Sequence, residues 1–132
     1  ALIVEKTRGL KQGRGDDASV SIGAMSSERQ LKIVEDHVEK FKAEGARVLT
    51  GGKSKDLFFE PTVIAGATNS MRAMREETFG PTLPIATFKT EEEAVKLAND
   101  SEFGLTASVW TRDLTKGKRV AEQIEAGTVC VN

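Results

Sequence analysis

The sequence has 132 residues, of which 30% are charged, and a net charge of −1 with acidic and basic side chains interspersed. This balance gives no attraction to nucleic acid or to an anionic membrane, and no apolar run approaches the ~20 residues of a membrane-spanning helix. One cysteine and one histidine supply neither a tetrahedral zinc site nor an internal disulfide. We therefore expect one domain without a metal, in a reducing cytoplasm.

The first half of the chain predicts two helices. Residues 1–8 indicate a short one, and Ser27 with Gln30 fits a capping box that begins the second. Gly45 is a typical helix stop. His37 lies beside the apolar stripe of this second helix and is expected to be packed or half-exposed rather than catalytic. That stripe recurs at helical spacing: Leu31, Val34, Val38 and Phe41.

Short strands are predicted at residues 46–50 and 62–65. Between them, the segment GGKS at residues 51–54 resembles the end of a phosphate-binding loop. That loop would need glycine where Arg47 stands, and no helical pattern follows Ser54. We interpret the segment as a turn.

The second half alternates strand and helix, which predicts right-handed βαβ crossovers. The residues at 83–88 form a nearly continuous apolar run, as expected of a strand buried on both faces. The predicted fold class is α/β with a mostly parallel sheet. The elements are strands at 83–88, 105–110 and 128–131, with helices from Thr90 to about Ala98 and from Asp113 to Gly127.

The segment at residues 74–81 fits neither period. Gly80 and Pro81 end any helix, so Phe79 lies just before a turn and beside Glu77. A carboxylate can accept hydrogen bonds from a sugar diol while an adjacent aromatic side chain packs a flat ring. These residues describe a cofactor site, although a solvated acidic turn with a phenylalanine at a core edge fits the same spacing. Cys130 lies among apolar neighbours and is expected to be a buried, inert thiol.

Several ordered motifs resemble the NAD(P)-dependent aldehyde dehydrogenase superfamily, and the similarity covers nearly the whole chain. The most distinctive is EETFGP at residues 76–81, which is similar to the family's E-E-x-F-G-P motif. The others are FEPTV at 59–63, TEEEA at 90–94, AND at 98–100, FGL at 103–105, WTRD at 110–113 and GTVCVN at 127–132.

The resemblance implies oxidation of a small-molecule aldehyde to an acid, with hydride passed to NAD or NADP. It assigns Glu77 to the hydroxyls of the nicotinamide ribose and Phe79 to packing near the nicotinamide. Gln30 aligns with a position that can contact the adenosine ribose, in competition with its capping role. Leu105 and Asn132 align near the active site, where a structural role fits equally well.

The resemblance also implies that the nucleophilic cysteine, the general-base glutamate and the dinucleotide-binding domain lie upstream, because Cys130 does not align with the nucleophile. We therefore expect residues 1–132 to be a partial catalytic domain, from the C-terminal part, and to be inactive alone. The full-length parent would be the enzyme, with homo-oligomers implied. Two alternatives stay open: a free-standing, non-catalytic α/β binding module, and an acylating or reductase relative.

Overall fold

The computed structural model describes residues 2–132 and has the α/β class that the sequence predicts. The chain divides into two compact units, the first ending at Thr87 and the second spanning Phe88–Asn132. Ala1, which belongs to the predicted first helix and to the predicted domain 1–132, lies outside the described residues.

The helices are α1 (Leu2–Arg8), α2 (Glu28–Ala43), α3 (Glu91–Asn99) and α4 (Leu114–Ala121), with a short 3₁₀ helix at Arg72–Met74. The strands are β1 (Arg47–Thr50), β2 (Ser54–Lys55), β3 (Phe58–Phe59), β4 (Thr62–Ala65), β5 (Thr82–Ile85), β6 (Thr106–Val109) and β7 (Thr128–Val131). Among the described residues, none of the helices is long and apolar enough to cross a membrane.

Helix α2 begins and ends where its sequence signals place it. Ser27 Oγ accepts a hydrogen bond from the Gln30 backbone N–H at 3.2 Å, and Gly45 follows the helix at φ +95°. The other hydrogen bond of a capping box, from the Ser27 backbone N–H to the Gln30 side chain, is absent among the described residues. The Gln30 side chain bonds to the Thr78 carbonyl instead. The predicted apolar stripe is buried and forms the core of the first unit with Ala46, Phe59, Ile64, Ala67, Met71 and Ala73.

The first unit contains a three-stranded sheet in the order β1-β4-β5. Strands β4 and β5 are parallel, whereas β1 is antiparallel to β4, so this sheet is mixed. Strand β4 is central and its Val63 and Ile64 are fully buried. The expectation that residues 83–88 are buried on both faces is wrong here, since Leu83 is 44% and Phe88 61% exposed. Pro84 lacks an N–H and suits the edge position that β5 occupies.

The second unit contains a parallel βαβ arrangement, β6-α4-β7, as predicted. Asp113 caps α4 by accepting a hydrogen bond from the Lys116 N–H at 3.0 Å. Cys130 is exposed, so the expectation of a buried thiol is wrong. Side chains alternate along a strand, and Val131 faces Gly117 of α4, so Cys130 points to the opposite face of this two-stranded sheet.

Gly117 allows α4 to approach β7 closely. An alanine Cβ there would lie 2.7 Å from Val131 Cγ1 and 2.9 Å from Thr111 Cγ2. Glycine to alanine in an open helix stabilises by about 1 kcal/mol. We expect Gly117→Ala to have the opposite sign and to lower the free energy of unfolding by about 1–3 kcal/mol, measured by urea denaturation.

Two further variants distinguish the effect of crowding at this contact from an effect that any glycine-to-alanine substitution would have on stability. Gly23→Ala is the matched control, because open space surrounds that position. Val131→Ala removes the contacting methyl groups, so the double variant should recover part of the loss. Unchanged or increased stability of Gly117→Ala alone would contradict the close approach.

Candidate coenzyme site

The EETFGP segment (residues 76–81) lies against one face of helix α2. Gln30, Val34 and His37 share that face because they are spaced four and three residues apart. Gln30 Nε2 donates hydrogen bonds to the carbonyl oxygens of Thr78 at 2.6 Å and Phe79 at 3.3 Å. An added Cβ at Gly80 would lie 2.4 Å from Val34 Cγ2, so only glycine permits this contact.

His37 is buried and hydrogen-bonded through both ring nitrogens. Nδ1 lies 2.9 Å from Thr78 Oγ1, and Nε2 lies 3.1 Å from Glu76 Oε2. Of the two environments that the sequence left open, packed or half-exposed, the structure shows the packed one. Its contacts with this segment were not predicted from the sequence. The only available signal was the position of His37 one turn beyond Val34 on the same helix face.

The two neighbouring carboxylates of the segment have different surroundings. Arg72 Nε donates to Glu76 Oε1 at 2.7 Å, and His37 contacts the other carboxylate oxygen. The Arg72 hydrogen bond is the main reason that the pKa of Glu76 is lowered, and partial desolvation opposes it. Glu77 is exposed, as Glu76 is, and borders the same open depression beside Arg29 and Ile33 of α2, but it has neither the Arg72 nor the His37 contact.

Phe79 adopts an unusual backbone conformation. Its φ is +44°, a region that costs a residue with a side chain roughly 1–2 kcal/mol. The ring is 75% exposed, so burial of the ring does not compensate for that cost. Such strain persists where the surrounding contacts determine the backbone, as those to Gln30, Val34 and His37 do here. The Pro81 carbonyl, at the other end of the segment, accepts a hydrogen bond from the Thr62 N–H at 2.8 Å.

An exposed carboxylate and an exposed aromatic ring two residues apart suit a ligand that offers both hydroxyl groups and a flat ring. Of the predicted coenzyme-binding residues, Glu77 and Phe79 are two residues apart and both exposed, and Gln30 bonds to the backbone that carries them. Within residues 2–132, no group of three or more His, Cys, Asp or Glu side chains is placed to hold a metal ion.

Leu105 and Asn132 both lie in the second unit. Leu105 is 85% exposed. The Asn132 amide pairs with the Thr111 backbone, accepting from its N–H at 2.9 Å and donating to its carbonyl at 3.0 Å. This pairing joins the ends of β6 and β7, which is a structural role.

A family model described as "Aldehyde dehydrogenase family" matches residues 1–132. The chain belongs to the aldehyde dehydrogenase family. It is 41% identical to betaine aldehyde dehydrogenase of Cereibacter sphaeroides (strain ATCC 17029 / ATH 2.4.9), over 100% of this chain and 28% of the relative. It is 43% identical to a Mycobacterium ulcerans protein named "Putative succinate-semialdehyde dehydrogenase (NADP+) 2", over 97% of this chain and 26% of that protein.

Solved structures agree with this assignment. Betaine aldehyde dehydrogenase from Staphylococcus aureus, crystallised in complex with NAD+, superposes with a TM-score of 0.94 at 39% identity. The match covers 98% of this chain and 27% of that one. The chain thus spans about a quarter of the length of these aldehyde dehydrogenases. Which part of their length it represents stays a prediction from motif order.

Glu76 should make the first unit of this aldehyde dehydrogenase chain sensitive to acid. Its pKa is lowered in the folded state, so its contribution to stability is complete above the ordinary glutamate pKa of about 4.3. That contribution is lost as the pH falls through the lowered value. We expect Glu76→Gln to be less stable than the wild type near neutral pH, with the difference disappearing under acid, as measured by urea unfolding across pH.

Glu60→Gln is the matched control, since Glu60 is an exposed glutamate of the same unit. It should not reproduce the pH-dependent difference. A stability gap for Glu76→Gln that stays constant down to the most acidic pH at which the chain is folded would mean that Glu76 does not stabilise the fold through its charge.

Proposed function

We propose that the full-length protein carrying this chain is an NAD(P)-dependent aldehyde dehydrogenase that oxidises a small-molecule aldehyde to a carboxylic acid. The observation that carries the proposal is that Glu77 and Phe79, two residues apart on a backbone held by α2, both expose their side chains. Family membership supports the same reaction class. The bound coenzyme would supply the hydride acceptor, and this chain would supply part of its binding site.

Each proposed coenzyme contact follows from side-chain chemistry. Glu77 would accept hydrogen bonds from the nicotinamide ribose hydroxyls, and Phe79 would pack near the nicotinamide ring. Gln30 uses its amide nitrogen on the carbonyl oxygens of Thr78 and Phe79. Its proposed contact with the adenosine ribose would therefore run through Oε1 as an acceptor.

Residues 1–132 would form part of a catalytic domain and would not oxidise aldehydes alone. Cys130 is the only cysteine and lies on a strand of a two-stranded sheet. A thiolate nucleophile placed by an adjacent base, as this chemistry needs, would come from elsewhere in the full-length protein. We further propose that the protein is a homo-oligomer, on the basis of the family resemblance, and that it is cytoplasmic, on the basis of the single thiol. Light scattering of the purified protein tests the oligomeric state.

The direct test is an assay of the full-length protein with a panel of aldehydes and both nicotinamide coenzymes. Aldehyde-dependent formation of reduced coenzyme and carboxylic acid supports the proposal. No turnover and no coenzyme binding would contradict it and would favour a non-catalytic binding module. Turnover that requires coenzyme A or phosphate would instead indicate an acylating relative.

Glu77→Gln should slow hydride transfer in the full-length protein roughly 10- to 100-fold, because hydrogen bonds to a charged acceptor contribute about 1.5–3 kcal/mol. The side chain is exposed, so stability should change little. Single-turnover measurement of reduced nicotinamide checks the rate, and thermal unfolding checks the fold. Glu60→Gln is the control glutamate, and equal rates for both variants would contradict the ribose role of Glu77.

A further inference from the structure

His37 contacts the residues on both sides of Glu77. Its ring nitrogens lie 3.1 Å from Glu76 Oε2 and 2.9 Å from Thr78 Oγ1, so one side chain is hydrogen-bonded to the side chains of both residues that flank Glu77. The His37 side chain is 4% exposed and belongs to a regular helix. A buried side chain on a helix is a more rigid support than one on a loop.

The polarity of these hydrogen bonds follows from the partners. An ionised carboxylate only accepts, so His37 Nε2 carries the proton that is donated to Glu76. In the neutral ring Nδ1 then accepts from the Thr78 hydroxyl. Arg72 donates to the other oxygen of Glu76 at 2.7 Å. The result is a continuous chain of hydrogen bonds from Thr78 through His37 and Glu76 to Arg72.

This network includes Glu76 and Thr78, the two residues that flank Glu77, and Glu77 itself is exposed. Gln30 adds hydrogen bonds to the carbonyl oxygens of Thr78 and Phe79, which further restrict the same backbone. A histidine with only a packing role could have its hydrogen-bond partners anywhere in the fold, and nothing would require them to flank Glu77, the proposed coenzyme ligand. Both partners of His37 lie there, more than 38 residues away in sequence.

We propose that His37 is a positioning residue for the coenzyme, acting through the backbone of Glu76 to Thr78 to aim the Glu77 carboxylate. This inference rests on the proposed function of Glu77. It predicts that removing the hydrogen bonds of His37 weakens coenzyme binding and hydride transfer even when the protein stays folded. It also predicts that His37 has little effect once Glu77 can no longer act as a charged acceptor.

The test is a double-variant cycle in the full-length protein. His37→Phe keeps a buried ring without hydrogen bonds, whereas His37→Gln offers one donor and one acceptor. We expect His37→Phe to lower kcat/KM for the coenzyme roughly 10- to 100-fold, the range that a small misplacement of a binding group can cause. His37→Gln should restore a substantial part. In a Glu77→Gln background, His37→Phe should cost less than about threefold.

Calorimetric titration with NAD+ and NADP+, without aldehyde, provides a readout that does not depend on turnover, and thermal unfolding accompanies each variant. Thr62→Val is the control for a loss of stability alone, since it removes only the buried hydroxyl that bonds to Gly52 and Glu60 and keeps the backbone N–H that bonds to the Pro81 carbonyl. Its effects should add to those of Glu77→Gln.

Three results would overturn the positioning role: effects of His37→Phe that add fully to Glu77→Gln, equal behaviour of the Phe and Gln variants, or unchanged coenzyme affinity in His37→Phe. If the wild type is active and binds coenzyme, these results reject the role of His37 alone. A wild type that neither binds coenzyme nor turns over rejects the proposed function together with this inference.

Discussion

The packing of the EETFGP segment against helix α2 is the contact on which the candidate site depends. Val34 belongs to the buried core, and the same side chain lies against Gly80. One turn away on either side, Gln30 and His37 bond to the polar groups of the segment. Core packing and site geometry therefore share one helix face, and the strained backbone of Phe79 is maintained by contacts that the core itself positions.

The sequence predicted much of this arrangement, for reasons that lie in local chemistry. Helical spacing of apolar residues identified α2 and its buried face, and Ser27 and Gly45 marked its ends. The contacts across the fold were not predicted. Periodicity identifies which residues share a helix face but not what covers that face. Two competing uses were predicted for Gln30, a capping-box bond to the Ser27 backbone and a contact with the adenosine ribose. In the structure its side chain bonds to the EETFGP segment rather than to the Ser27 backbone.

The errors in burial have a common physical origin. Apolar composition suggested that the strand at 83–88 and Cys130 were buried, yet burial depends on what covers each face of a sheet. Within residues 2–132, β5 and β7 are edge strands that each pair with a single neighbour, β4 and β6 respectively, so part of each strand is left uncovered. The β2-β3 hairpin was missed because two-residue strands carry no measurable alternation. Residue type alone predicted Glu77 and Phe79 as candidate site residues, since a lone aromatic beside carboxylates before Gly-Pro fits no regular element, and their role stays a prediction.

A crystal structure of the full-length protein with a bound nicotinamide coenzyme tests most directly whether helix α2 places the coenzyme ligand. We predict the Glu77 carboxylate within hydrogen-bond distance of the ribose hydroxyls, with the Thr78 contacts of Gln30 and His37 unchanged. A coenzyme bound while Glu77 points to solvent would contradict the role of the carboxylate. A coenzyme bound while the EETFGP segment has separated from α2 would contradict the claim that this helix holds the coenzyme ligand in place.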